Sequence, residues 1–340
     1  MGRIAITDGM DPVAVNKLLN AGYEVVERHY NEEELINGAL SDFDAVVVRS
    51  ATKLTSKVIS NSGQLSFIGR AGVGVDNIDI KAATSSGIVV CNTPQSSTNS
   101  VVELTIGHLL ASCRHITRGD RGLREGLWEK KQLKGTELSG KRLGLVGFGR
   151  IAQGVAAVAV AMGMECHAYD PYLPANIARQ FDCTMHDDVD SLFSLCTHIA
   201  IHCNLTDETH HLVNSDRIQM MPTSAPNGVG CGNHIVKCAR GGIVDEAAVI
   251  DALESGHLTS AALDVFEIEP AIDNPLISHA NFHGTPHIGA STLEAQSRIG
   301  EEMVRLLLDH FEGKRPHSAC LLYTSPSPRD KRQSRMPSSA

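Results

Sequence analysis

Leu143-Gly144-Leu145-Val146-Gly147-Phe148-Gly149-Arg150-Ile151-Ala152 is the stretch on which the reading of the fold turns. A strand-like run enters a glycine turn, and a helix-forming run follows. Gly147 permits a tight turn, Gly149 lets backbone approach a pyrophosphate, and Ala152 lets the helix pack closely on the strand. The helix start at Arg150 and Ile151 offers N–H groups and a positive dipole end to phosphate. Asp170 closes the next apolar run, in Ala168-Tyr169-Asp170-Pro171. A carboxylate there hydrogen-bonds ribose hydroxyls and repels a 2′-phosphate. The segment therefore predicts a dinucleotide-binding βαβ unit and favours NAD over NADP.

Downstream the same alternation repeats. Apolar strand candidates lie at residues 143–146, 166–169, 198–202, 235–239, 261–266 and 282–285, with helices between them, as at Glu246–Glu254. Such alternation predicts a parallel, doubly wound sheet. Upstream, short strands are expected at residues 3–6, 23–26, 45–48 and 88–90. Asp11 and Pro12 open a helix carrying Val13, Val15, Leu18 and Leu19, and Gly22 ends it. Ser100-Val101-Val102-Glu103 has the form of a capping box at the head of a long helix. Val102, Ile106, Leu109, Cys113 and Ile116 recur along that helix at helical spacing, which suits core packing or a subunit interface. A last helix is expected over residues 293–311. The fold class is α/β, with two doubly wound parallel-sheet domains.

Three polar residues follow strand candidates of the second sheet: Arg240, Glu269 and His287. In an open α/β sheet, ligands bind beyond the carboxyl ends of the strands, so parallel strands would bring these residues to one crevice. Their chemistry suits one reaction. Taking hydride from a hydroxyl-bearing carbon also requires taking the hydroxyl proton, which an imidazole does near neutrality. A carboxylate holds the imidazole and stabilises its charged form. A guanidinium clamps a substrate carboxylate with paired donors and polarises the neighbouring carbonyl in the reverse direction. Metal-binding spacings such as HExxH and the GxSxG nucleophile motif are absent from the sequence.

Bulk properties narrow the classes. The 340 residues carry a net charge of −9, with 42% apolar and 4% aromatic residues. Arg329, Lys331, Arg332 and Arg335 stand against Asp330 alone near the end, so the rest of the chain is more acidic still. Such a body repels nucleic acid and anionic membrane surfaces. The nine cysteines are scattered without a CxxC pair, which suits a reducing, cytoplasmic compartment and no disulfide framework. No apolar run reaches membrane-spanning length, and no signal peptide precedes the strand at Arg3. Residues 319–340 have almost no apolar content and are expected to be a disordered tail, foreign to the fold.

Several segments together resemble the D-isomer-specific 2-hydroxyacid dehydrogenases over nearly all of residues 3–315. They are Gly69-Arg70-Ala71-Gly72-Val73-Gly74-Val75-Asp76-Asn77-Ile78-Asp79, the turn at Gly147, residues 239–246, residues 262–270, and residues 286–296. The last of these favours the branch that oxidises 3-phosphoglycerate. The resemblance implies a Rossmann-type NAD domain at residues 98–289, inserted into a flavodoxin-like substrate domain formed by residues 1–97 and 290–318. It implies Arg240, Glu269 and His287 as the catalytic set. It also implies cofactor contacts at Cys203, Asn204, Cys238, Ala239, Asp264, Gly289 and Ala290. The substrate carboxylate would meet backbone at Gly72, Val73 and Gly74, and a phosphate would meet Arg49 and Ser50. A small anionic hydroxy acid and a homodimer or homotetramer are implied as partners. Glyoxylate or hydroxypyruvate reduction is the neighbouring alternative, and an NAD-sensing co-repressor-like binding protein the remote one.

The sequence departs from that family at three places. Cys203-Asn204 stands where Thr-Pro is usual, and Val73 where Thr is frequent. Residues 221–233 form a longer, turn-rich lead into the strand before Arg240, which a surface loop can absorb. The sequence also ends before the regulatory domain of longer members.

Overall fold

A computed structural model describes residues 2–314, 318 and 319. The chain divides into two compact units, one of residues up to Ser97 together with those from Leu293 onward, the other of Thr98–Thr292.

The first unit alternates β1 (Arg3–Ile6), α1 (Pro12–Asn20), β2 (Glu24–Glu27), α2 (Glu32–Ile36), β3 (Ala45–Val48), α3 (Ser56–Ser60), β4 (Phe67–Arg70), α4 (Ile80–Ser85) and β5 (Val89–Asn92). Its five strands are all parallel, in the order β2-β1-β3-β4-β5. That is the flavodoxin-like order. Asp11 caps α1, its carboxylate accepting from the Val13 and Ala14 N–H groups. Val15 and Leu18 face the core, whereas Val13 and Leu19 face solvent.

The second unit opens with α5 (Thr98–Arg114) and α6 (Ile116–Arg124). It continues through β6 (Arg142–Val146), α7 (Arg150–Ala161), β7 (Glu165–Tyr169), α8 (Ala175–Arg179), β8 (Cys183–His186), α9 (Val189–Leu195), β9 (His198–Ile201), α10 (Ser215–Met220), β10 (His234–Lys237), α11 (Glu246–Glu254), β11 (Ser260–Leu263) and β12 (Phe282–Gly284). The seven strands are parallel, in the order β12-β11-β10-β9-β6-β7-β8. Read from β8, this is the 3-2-1-4-5-6 Rossmann order with one further strand, and the order reverses between β6 and β9. The chain then returns to the first unit as α12 (Leu293–Phe311), whose Ile299, Met303, Leu306 and Leu307 join Ile4, Leu18, Val47 and Phe67 in one core.

Several expectations need correction. α5 begins at Thr98, so Ser100 lies inside it and no capping box forms there; the Ser100 hydroxyl pairs with the Thr292 hydroxyl at 2.7 Å. His115, at φ 52°, breaks the long helix, and Ile116 beyond it is exposed. Val102, Leu109 and Cys113 are buried, and Val102 sits 2.7 Å from where Gly154 of α7 would carry a Cβ. That stripe is core packing on α7. β10 and β11 stop at Lys237 and Leu263, short of 239 and 266, because the residues that follow are buried by folding over the sheet end rather than by pairing. β4 and β8 were not anticipated. Of the expected tail, Ala319 makes an antiparallel bridge to Cys91, and residues 320–340 lie outside the described residues.

The long lead at 221–233 folds on itself before β10. The Cys231 and Gly232 N–H groups donate to the Thr223 carbonyl, and the Asn233 amide donates to the Met221 carbonyl. It meets β10 at its amino end, whereas Arg240 follows the carboxyl end.

Candidate active site

At the turn after β6, Gly147 has φ 81°, and a Cβ there would lie 2.7 Å from the Cys203 nitrogen. Only glycine satisfies both conditions. Gly149 caps α7 without a side chain, and the space where its Cβ would stand is open. The first N–H groups of α7, at Arg150 and Ile151, are thus left to an external anion. Asp170 braces the turn: its Oδ2 accepts from the Phe148 N–H at 2.8 Å and its Oδ1 from the Tyr172 N–H at 2.9 Å. An uncovered helix start, a turn too tight for any side chain and an acid at the next strand end fit a dinucleotide. Cys203 lies against this turn, half-buried, and burial pushes its thiol up to about 11. Asn204 is exposed. The Cys238 side chain is buried beside Thr105, and burial pushes its thiol up to about 12.

β10, β11 and β12 are neighbours in the sheet, and their carboxyl ends lead to Arg240, Glu269 and His287 respectively. His287 Nδ1 lies 2.9 Å from Glu269 Oε2, while Glu269 Oε1 accepts from the Phe266 N–H. Each side chain is exposed by about a third, 35% and 37%. His287 has φ 54°, a left-handed backbone that costs energy outside glycine and concentrates at functional sites. Asp264, wholly buried, holds it there. The His287 N–H donates to the Asp264 carbonyl. The Asp264 carboxylate accepts from the Ile288 N–H, the Gly289 N–H and the Thr285 hydroxyl, at 2.8, 2.9 and 2.6 Å. Asp264 thereby anchors the His287–Gly289 turn.

Arg240 reaches the same end through Gly241. A Cβ on Gly241 would lie 2.1 Å from the Phe266 carbonyl oxygen and 3.0 Å from Glu267 Cα, so the segment carrying Arg240 rests directly on the one carrying Glu269. Glu246 ties the arrangement from below, accepting from the Glu267 N–H at 2.8 Å and the Asn274 amide at 2.6 Å. Sequence reasoning missed Glu246, Gly241 and Thr285 as parts of the site, although the first two lie in the quoted run 239–246.

With that geometry in place, comparison with known proteins is decisive. The sequence model of "D-isomer specific 2-hydroxyacid dehydrogenase, NAD binding domain" matches residues 106–289. The chain belongs to this family. It is 44% identical over 300 residues to the D-3-phosphoglycerate dehydrogenase of Methanocaldococcus jannaschii, covering 88% of this chain and 56% of that protein. It is 44% identical over 306 residues to the hydroxypyruvate reductase of Thermotoga maritima, covering 89% of this chain and 96% of that protein. Among solved structures, the TT0316 protein of Thermus thermophilus superposes with a TM-score of 0.84 at 30% identity, covering 94% of this chain and all of that one. The chain spans about half the length of the curated phosphoglycerate dehydrogenases it matches.

In this family member, the residues singled out in the first unit form their own cluster of turns. Asp8 accepts from the Arg49 N–H at 2.7 Å, the Thr52 N–H and the Thr52 hydroxyl, fixing the segment after β3. Arg49 is half-buried and Ser50 exposed. Gly72 has φ 148°, and a Cβ there would collide with the Arg70 guanidinium. The Asn92 amide donates to the Val73 carbonyl at 2.6 Å, and the Val73 and Gly74 side of this turn is partly exposed.

Among the described residues, one group places metal-ligating atoms within 4.8 Å of one another: Cys113, His198 and His234. Each ring nitrogen there already has a protein partner: Cys113 Sγ and the Thr197 hydroxyl for His198, the Ser260 hydroxyl and the Cys231 carbonyl for His234. The group is hydrogen-bonded core. The eight described cysteines are free, and no helix among the described residues is long and apolar enough to cross a membrane.

Proposed function

We propose that the chain oxidises D-3-phosphoglycerate to 3-phosphohydroxypyruvate with NAD. The observation that carries this reading is the 2.9 Å pair of His287 and Glu269, held in a left-handed turn by a buried carboxylate at the carboxyl end of the sheet. Bound NAD supplies the hydride acceptor. His287 Nε2 takes the hydroxyl proton, since Nδ1 is committed to Glu269, and returns it in the reverse direction. Glu269 fixes the tautomer and the orientation of the ring. Arg240 grips the substrate carboxylate with paired donors and stabilises negative charge on the C2 oxygen. Backbone at Gly72, Val73 and Gly74 meets the same carboxylate, and Arg49 with Ser50 meets the phosphate. Asp170 selects NAD through the ribose hydroxyls, with Gly147, Gly149, Arg150, Ile151, Cys203, Asn204, Cys238, Ala239, Asp264, Gly289 and Ala290 lining the dinucleotide. Residues 1–97 with 290–318 serve the substrate, and residues 98–289 the cofactor.

Hydroxypyruvate reduction is the second reading. It is favoured by the Thermotoga maritima relative, which this chain matches over almost its whole length. A panel of D-3-phosphoglycerate, D-glycerate and glyoxylate, followed by nicotinamide absorbance, separates the readings. NAD reduction is expected with D-3-phosphoglycerate. Preference for the unphosphorylated acids would establish the reductase reading, and NAD binding without any turnover would leave only a sensor.

A further inference from the structure

β8 is an edge strand of the second sheet, with β7 beside it. Register sets Thr184 beside His167 and His186 beside Tyr169, so Glu165, His167 and His186 share one face of the sheet. His167 is buried, His186 half-buried and Glu165 exposed. A row of polar contacts runs along this face. Arg142 Nε donates to Glu165 Oε2 at 2.9 Å, His167 Nε2 lies 3.0 Å from Glu165 Oε1, and His167 Nδ1 lies 3.0 Å from His186 Nε2. The Arg142 guanidinium holds the Glu165 carboxyl below the usual carboxylate range, so this group only accepts. Burial lowers the proton affinity of His167, which favours the neutral ring. A neutral ring that donates from Nε2 to a carboxylate carries its lone pair on Nδ1, the nitrogen facing His186.

We propose that His167 Nδ1 and His186 Nε2 together hold a divalent transition-metal ion, Zn²⁺ or Cu²⁺ in kind, at the outer edge of the second unit. Zn–N bonds are about 2.0–2.1 Å long, so two imidazole nitrogens in adjacent coordination positions stand about 2.9–3.4 Å apart. The observed 3.0 Å falls in that range. The rings are inclined by 53°, with centroids 5.2 Å apart, and a turn of each about its Cβ–Cγ bond brings both lone pairs onto one ion. Imidazole ligands suit zinc, copper and nickel rather than magnesium or calcium. A carboxylate that accepts from the far nitrogen of a ligating imidazole fixes its tautomer and raises its basicity, and Glu165 holds that place. Water completes the coordination from the side of the exposed Thr184. Asp188 takes no part, because its oxygens accept from the Ser191 N–H and hydroxyl. β8 lies at the opposite end of the sheet from β10, β11 and β12, so the site does not depend on the substrate reading.

The test titrates the chelator-treated chain with Zn²⁺ by calorimetry, and with Cu²⁺ followed by electron paramagnetic resonance. One ion per chain is expected, with splitting from two nitrogens in the Cu²⁺ spectrum. His186→Gln keeps a donor for His167 and removes the ligand nitrogen. Its unchanged melting temperature without metal shows that it is folded, and Zn²⁺ affinity is expected to fall roughly tenfold or more. Glu165→Gln should weaken Zn²⁺ by about tenfold through the ring behind it. Saturating Zn²⁺ should raise the melting temperature of the parent and not that of His186→Gln. Cys113→Ser should bind as the parent does. Equal Zn²⁺ affinity in the parent and His186→Gln, no Zn²⁺ bound by the parent, or loss of binding in Cys113→Ser alone, which would put the ion in the core, each overturns the proposal.

Discussion

At the scale of single residues, the site depends on positions whose backbone or burial is unusual. His287 occupies a left-handed conformation, and three donors converge on the Asp264 carboxylate to keep it there. The backbone energy stored at His287 is thus offset by hydrogen bonds made elsewhere in the same turn. His287→Ala removes the proton acceptor and leaves this backbone frame in place. Turnover should fall by about a hundredfold or more, with NAD affinity nearly unchanged, as read by kinetics alongside NAD titration. Equal loss of both would show that the residue holds the fold rather than the proton. The three catalytic candidates were legible because each follows a strand in a distinctive run. Asp264 was legible only as a contact, since nothing in a sequence reveals that a carboxylate is wholly buried with its oxygens engaged.

At the scale of elements, the βαβ alternation was readable because parallel strands buried on both faces appear as short apolar runs. β4 and β8 escaped because Phe67-Ile68-Gly69-Arg70 and Cys183-Thr184-Met185-His186 mix glycine, polar and charged residues into pairs that only the sheet reveals. The apparent capping box at Ser100 failed because tertiary contact with Thr292 takes the hydroxyl that a cap would use. Strand ends were overextended where apolar residues such as Val265 and Phe266 are buried by loop packing. That loop packing has an energetic consequence at Gly241, where a methyl group would meet backbone at 2.1 Å and no side chain can yield. Gly241→Ala should destabilise the chain by roughly 1–3 kcal/mol, measured as a lower urea midpoint, and should depress turnover by shifting the segment that carries Glu269. An unchanged midpoint would mean that the two loops are not in fixed contact.

At the scale of the whole molecule, two parallel sheets with different strand orders share one chain, which returns to the first unit as α12 once the second is complete. The second unit holds several histidines whose charged form burial disfavours. Burial draws His202 and His234 down to about 4, and lowers His198 as well. In the unfolded chain these imidazoles take protons near pH 6.5. Between roughly pH 6.5 and 4 the unfolded state therefore binds more protons, and stability falls as pH falls. His202 and His234 each account for on the order of 3 kcal/mol at the acid end. Thermal unfolding should move to markedly lower temperature between pH 7 and pH 4.5, and a flat profile would mean that these rings are accessible to protons in the folded chain.

The most direct test of the redox assignment follows a label. D-3-phosphoglycerate carrying deuterium at C2 is incubated with the chain and NAD, and the reduced nicotinamide is analysed for the label. The account predicts deuterium on the nicotinamide ring, none from the mirror-image acid, and labelling slowed about a hundredfold or more with His287→Ala. Nicotinamide that stays oxidised with every D-2-hydroxy acid, although the dinucleotide binds, would contradict it.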